Sequence, residues 1–321
     1  MVGIVYIIFL LSCYASAIAY GMHPRLSRDQ SRLAMVMGGN KHIQLWDLQK
    51  NNLRHQFKYQ TDITALNTYQ CSQEGQVIVG LKNGSVQAYD ITLDDHSVLM
   101  WNAQHIQSIY SITFNHDETR LLTSSGDGTV GLWRQLTNRE QIDMTGDACF
   151  LSKRLLTLKH SLPVASAELN NDEGRIASRV IDEAVFFWDT QTEKQQQELK
   201  DASRNGIFRF SKDGRCFFTE MRVLNRSVIY VWDMYTYEKI DEFFYEDALI
   251  KSFYLSYDEK HIIVLFSQKV VFTDRALKED IKCIDDVRCV AIAVTQEGTK
   301  LIIAKPDGDG FDMLLIPNDF A

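Results

Sequence analysis

FNHDETRLLTSSGDGTVGLW, residues 114–133, carries two turns and the strands around them in twenty residues. Phe114 closes an apolar run. Asn115, His116, Asp117 and Glu118 interrupt it, and apolar residues resume at Leu121. That is the composition of a tight turn between two strands. Asp127-Gly128 follows, a strong signal for a two-residue hairpin, and TVGLW then reads as a third strand.

The same phrase returns along the chain. Its copies are LSRDQSRLA from residue 26, CSQEGQVI from 71, LNNDEGRIA from 169, FSKDGRCFF from 210, LSYDEKHII from 255 and VTQEGTKLI from 294. Their second letters are Ser27, Ser72, Asn115, Asn170, Ser211, Ser256 and Thr295, spaced by 45, 43, 55, 41, 45 and 39 residues. Each copy is followed by a five- or six-residue apolar or alternating run: HIQLWD, SVQAYD, TVGLWR, AVFFWD, VIYVWD, KVVFTD and FDMLLI. A more polar strand comes next, such as LRHQFKYQ from residue 53. The repeated unit is therefore four antiparallel strands, a to d, with d the most solvated. One such sheet cannot bury both faces alone. Copies set around an axis bury them against one another, whereas a two-sheet sandwich does not repeat a unit seven times.

The remaining composition is that of an ordinary soluble chain. The 321 residues are 45% hydrophobic and 24% charged, enough for a large core. A formal net charge of −8, with no long run of Lys or Arg, argues against a nucleic-acid partner. The six cysteines, at 13, 71, 149, 216, 283 and 289, show no CxxC spacing, so no zinc site is expected. Cleavage after residue 19 would leave an odd number, which leans toward a reducing compartment.

With these repeats the chain resembles the WD-repeat family of β-propellers over about residues 20–316. The resemblance implies a hydrogen-bonded tetrad: a His before strand a, a Ser or Thr in strand b, an Asp in the b–c turn and a Trp in strand c. Blade three matches at His105, Thr123, Asp127 and Trp133, and blade four at His160, Ser178, Asp182 and Trp188. In both, the Ser or Thr lies 10 residues before the Trp and the Asp lies 6 before it. His, Asp and Ser together also suggest a hydrolase triad. A network that satisfies a buried indole N–H and a buried carboxylate once per blade is the better reading. Elsewhere the pattern departs: blade two has Tyr89 for the Trp, blade six has Thr273, and blade five keeps Trp232 beyond a longer b–c turn.

The expectation is one all-β domain, a seven-bladed propeller over residues 1–321. Its repeats fall at about 20–50, 61–91, 105–134, 160–190, 205–234, 248–274 and 287–317, with an insertion at 135–154 in blade three. The chain ends just after the third strand of blade seven. The resemblance implies that the N-terminus donates the fourth strand, and counting back from Ser27 lands on residues 10–16. The uncharged stretch from Val2 to Tyr20 also reads as a signal peptide cut near Ala17 or Ala19, or as a 19-residue anchor. Accordingly a cytoplasmic location is expected, with a secreted or membrane-anchored protein as the alternative.

No GxSxG, Walker loop, HExxH or dinucleotide-binding turn occurs, so no enzyme activity and no cofactor are expected. PDGDGFD at 306–312 lacks the later Glu of a calcium loop and sits where a hairpin belongs, so no metal is expected. The resemblance implies a non-enzymatic scaffold for protein or peptide partners, a monomeric propeller within a complex. Two places would serve binding. One is the insertion, which is equally readable as a tolerated surface loop. The other is a small basic group, Arg222, Asn225 and Arg226 with Arg179 nearby, suited to a carboxylate or phosphate but also readable as a solvated turn.

Overall fold

The recurring phrase marks a turn capped by its own side chains. In the computed structural model of the chain, Asn115 Oδ1 accepts the Arg120 backbone N–H at 2.8 Å, and Asn170 Oδ1 accepts that of Arg175 at 2.9 Å. Ser27, Ser211 and Ser256 use their hydroxyl oxygens in the same way, for Arg32, Cys216 and His261, at 2.9 to 3.0 Å. All five are buried, so the position demands a short residue that can accept a hydrogen bond. Two residues on, an Asp takes another amide: Asp117 from Thr119, Asp172 from Gly174, Asp213 from Arg215 and Asp258 from Lys260. The next residue is left-handed, with φ of 61° at Glu118, 60° at Glu173, 69° at Gly214 and 56° at Glu259. A second set of caps closes the c–d turns. Asp47, Asp189, Asp233 and Asp274 each accept two successive amides, which explains the acid that ends strand c.

The structure describes residues 24–27, 31–37, 40–69, 76–90, 98–115, 117–135, 152–200, 207–223, 226–246, 249–305 and 310–317. They form an all-β, seven-bladed propeller fold with no helix among them. The chain divides into two compact units near residue 198. The first holds four sheets. Blade one is β1 (Arg25–Leu26), β2 (Arg32–Met37), β3 (His42–Asp47) and β4 (Asn52–Lys58). Blade two is β5 (Ile63–Tyr69), β6 (Gln76–Leu81), β7 (Ser85–Asp90) and β8 (Val98–Gln104). Blade three is β9 (Ile109–Phe114), β10 (Arg120–Ser125), β11 (Thr129–Gln135) and β12 (Ser152–Lys159). Blade four is β13 (Val164–Leu169), β14 (Arg175–Val180), β15 (Val185–Asp189) and β16 (Gln195–Leu199).

The second unit continues the pattern. Blade five is β17 (Phe208–Phe210), β18 (Cys216–Val223), β19 (Arg226–Asp233) and β20 (Lys239–Tyr245). Blade six is β21 (Ser252–Leu255), β22 (His261–Leu265), β23 (Lys269–Asp274) and β24 (Asp280–Asp285). Blade seven shows three strands among the described residues, β25 (Cys289–Thr295), β26 (Gly298–Ala304) and β27 (Phe311–Ile316). Residues 2–19, expected to supply a closing strand, a signal or an anchor, lie outside the described residues.

Within each unit, neighbouring sheets share a core. Ile78, Val86 and Ala88 of blade two pack with Ile109, Leu121 and Trp133 of blade three. Phe218, Ile229 and Phe243 of blade five pack with Phe253, Ile262 and Val264 of blade six. Each fully buried Phe or Ile contributes about 1.5–3 kcal/mol, so a sheet is stable through its siblings rather than alone. The inner strands of the first unit are also laced together. Asn67 Nδ2 donates to the Ile112 carbonyl at 2.9 Å, and Thr113 Oγ1 to that of Ala167 at 3.2 Å. At the a–b turns, Glu173 reaches back to Arg120 (2.7 Å) and Asn115 of the preceding blade.

The insertion in blade three is shorter than expected. Lys153 and Arg154 pair with Arg134 and Trp133, so strand d already begins at Ser152. The apolar alternation of SKRLLTLK drives these residues into the ladder. The residues between Gln135 and Ser152 lie outside the described set.

Candidate functional site

Among the described residues, the most exposed large apolar side chain on the loops of the first unit is Ile106, 87% exposed in the d–a loop of blade three. What holds it in place lies directly beneath. Thr123, fully buried on β10, is the hub. Trp133 Nε1 donates to Thr123 Oγ1 at 2.9 Å, and His105 Nε2 lies 2.8 Å from the same oxygen. His105 Nδ1 is 3.2 Å from Asp127 Oδ2 and 2.8 Å from Thr129 Oγ1. The Thr129 amide and hydroxyl both donate to Asp127 Oδ1, at 2.9 and 2.6 Å. One tautomer satisfies the chain of bonds: His105 Nδ1–H donates to the carboxylate, and Thr123 O–H donates to Nε2 while accepting from the indole. Burial lowers the His105 pKa, and the neighbouring Asp127 only partly offsets this, so the ring is neutral at pH 7. The Ile106 backbone N–H closes the network by donating to Asp127 Oδ2 at 3.0 Å.

The hydrolase reading fails on access. Thr123 Oγ1 lies under Trp133, whose other neighbour is the Arg154 guanidinium 4.3 Å from the ring. No substrate carbonyl reaches that oxygen.

Blade four repeats half of the network. Trp188 Nε1 donates to Ser178 Oγ at 3.0 Å, and Ser178 Oγ lies 3.1 Å from His160 Nε2. Asp182, expected as the fourth member, is instead exposed in the turn with a left-handed φ of 61°. The cause is local. In blade three the left-handed residue is Gly128, one position later, with φ 80°. Blade four has Glu183 at that position, so the turn shifts its left-handed residue onto Asp182, a type that tolerates it better. Ala184 stands where Thr129 stands, so no hydroxyl is present to draw the carboxylate inward. Without an acid beside it, His160 has a pKa pushed down by burial to about 4. The d–a loop above it exposes Leu162, at 42%.

Blade five contains a link that the 10-residue spacing misses: Trp232 Nε1 donates to Thr219 Oγ1 at 2.9 Å, 13 positions back. Strands β18 and β19 extend their ladder through Val223 and Arg226, which adds three residues to the interval. In blade six, Thr273 replaces the indole and accepts a partner from next door, Tyr245 Oη of blade five at 3.0 Å.

The arginines of the expected basic group lie on strands. Arg222 and Arg226 are strand residues of β18 and β19, exposed at the end of their hairpin, and Arg226 pairs with Glu246 at 2.9 Å. Arg179 is likewise on a strand, half-buried on β14 in the first unit, with Nε 3.4 Å from Ser166 Oγ. Asn225 lies outside the described residues. Among the described residues no group of three His, Cys, Asp or Glu is placed to hold a metal ion, and no helix is long and apolar enough to cross a membrane. Residues 306–309 of PDGDGFD lie outside that set.

No protein-family model matches the chain, and no curated protein matches it. Among solved structures it is similar to a chain in the crystal structure of a mitotic checkpoint complex, with a TM-score of 0.70 and 15% identity. The match covers 94% of this chain and 88% of that one. At that identity the likeness is one of fold.

Proposed function

We propose that the chain is a non-enzymatic scaffold that holds protein or peptide partners on the loops of its blades. The observation that carries this is Ile106: a large apolar side chain, 87% exposed, whose backbone is fixed by a buried carboxylate. Exposing such a group costs solvation, and holding it rigid lowers the entropy lost when a partner covers it. Leu162 occupies the corresponding loop one blade on. A solved structure with this fold is that of a mitotic checkpoint complex, which supports the same reading by analogy. Cys216 and Cys283 are free thiols, and burial raises the pKa of Cys289 to about 12, which disfavours its thiolate. Free thiols accord with a reducing, cytoplasmic setting, and sequencing the N-terminus of the natural protein tests it.

The functional test compares wild-type and Ile106→Glu protein as bait, with the melting temperature measured in parallel. The variant is expected to keep its melting temperature and to lose a defined partner. A partner set that is indifferent to I106E, to Leu162→Glu and to Arg222→Glu with Arg226→Glu would refute the proposal.

A further inference from the structure

In the second unit, one side chain joins the a–b turns of three consecutive blades. Tyr257, at the tip of the blade-six turn, is 40% exposed. From blade five, Lys212 sets its ammonium 4.3 Å from the ring centroid. From blade seven, Gln296 Nε2 donates to the phenol oxygen at 2.6 Å. Glu259, two residues after the tyrosine, accepts the Lys212 backbone N–H at 2.5 Å and so holds the turn beneath the ring. A donor on the oxygen and a cation on the ring face both favour phenolate over phenol. The hydrogen bond from Gln296, and then the charge of Lys212, lower the Tyr257 pKa. Two other tyrosines show what is particular here. Tyr245 is buried, and burial raises its pKa. Tyr235 is 91% exposed, but among the described residues no cation lies over its ring.

We propose that Tyr257 is a modification site, a phenol that this fold both exposes and activates toward an electrophilic group donor. In the phosphoryl case the donor is a nucleoside triphosphate held by a tyrosine kinase. The Tyr257 oxygen bonds to the γ-phosphorus, and the bond from that phosphorus to the bridging oxygen breaks. The nucleoside diphosphate leaves with the electron pair, and the phenolic proton passes to the kinase's base. The new dianion finds Lys212 close by as its counter-ion, and its oxygens can accept from the Gln296 amide.

The test uses the full chain and benzenesulfonyl fluoride, which forms an oxygen–sulfur bond to phenolate and releases fluoride. Peptide mass spectrometry reads the labelling rate at each tyrosine. Tyr257 is expected to label several-fold faster than Tyr235 despite its lower exposure. Lys212→Met and Gln296→Leu should each slow Tyr257 and leave Tyr235 unchanged. Equal or faster labelling of Tyr235 in the unaltered protein overturns the proposal without relying on any variant. In a second arm, a broad-specificity tyrosine kinase with ATP should place phosphate on Tyr257, and phosphate found only at other tyrosines overturns the acceptor role.

Discussion

Acidification should weaken the first unit before any carboxylate is protonated, and His160 is the reason. Its ring is packed edge-on against Trp188, with centroids 5.1 Å apart, and among the described residues its polar link is to neutral Ser178. Burial lowers its pKa from 6.5 to about 4. The unfolded chain therefore binds this proton more readily than the folded one, and stability must fall as pH drops from about 6.5 toward about 4. A tenfold difference in proton affinity is worth about 1.4 kcal/mol, which caps the loss at about 3 kcal/mol, with about 2 reached by about pH 5. His105 acts in the same direction. The carboxylates with lowered pKa values, such as Asp117 and Asp127, lose their contribution only below the normal carboxylate range, so the window between about pH 7 and about pH 5 isolates histidine. The assay is guanidinium denaturation followed by tryptophan fluorescence at both ends of that window, for wild type and His160→Gln. The amide keeps a donor for Ser178 and does not titrate. The wild type should lose about 2 kcal/mol more than the variant on acidification. Equal losses, or a His160 ring resonance that titrates above pH 6, would contradict the reasoning.

Three further outcomes follow from the geometry. Asp127→Ala should cost about 2–4 kcal/mol, because it strands the His105, Thr129 and Ile106 donors, whereas Asp182→Asn, which keeps a residue suited to the left-handed backbone, should stay within about 0.5 kcal/mol; chemical denaturation ranks them, and similar values would undo the account of the blade-four turn. Thr123→Val keeps the shape of the side chain but leaves the Trp133 N–H and His105 Nε2 unmatched, and should lower stability by about 2–4 kcal/mol, with Thr123→Ser recovering most of it. Gly84→Ala should prevent stable folding of blade two, since φ is 86° and the added carbon would lie 2.1 Å from the His105 carbonyl oxygen; a soluble variant with an unchanged melting temperature would disprove this.

The repeat was legible because its cause is local. A buried Ser or Asn that accepts an amide five residues on, an Asp two positions after it and a left-handed residue next recur whatever the neighbouring blades contain. The blade-three tetrad was legible for the same reason, since four residue types meet at fixed offsets. The departure in blade four was also written in the sequence, at Glu183 and Ala184, but the motif spacing does not weigh the residues between its letters. The Thr219–Trp232 link was hidden because a hairpin that lengthens by pairing changes the interval without changing the contact. Tyr245 and Thr273 were out of reach altogether, because their contact joins strand d of one blade to strand c of the next, 28 positions apart. The stitch through Tyr257 is hidden likewise, since its partners lie in two other repeats.

Gln135 and Ser152 stand opposite each other at the end of the blade-three ladder. Whatever runs between them leaves and re-enters the sheet at one doorway, about 5 Å wide. Loop-closure entropy there grows slowly with length, by about 0.6 kcal/mol per doubling. The site is therefore a natural port for engineering: an epitope, a sensor module or a fluorescent protein spliced in at this point would dangle from a closed gate and load none of the walls.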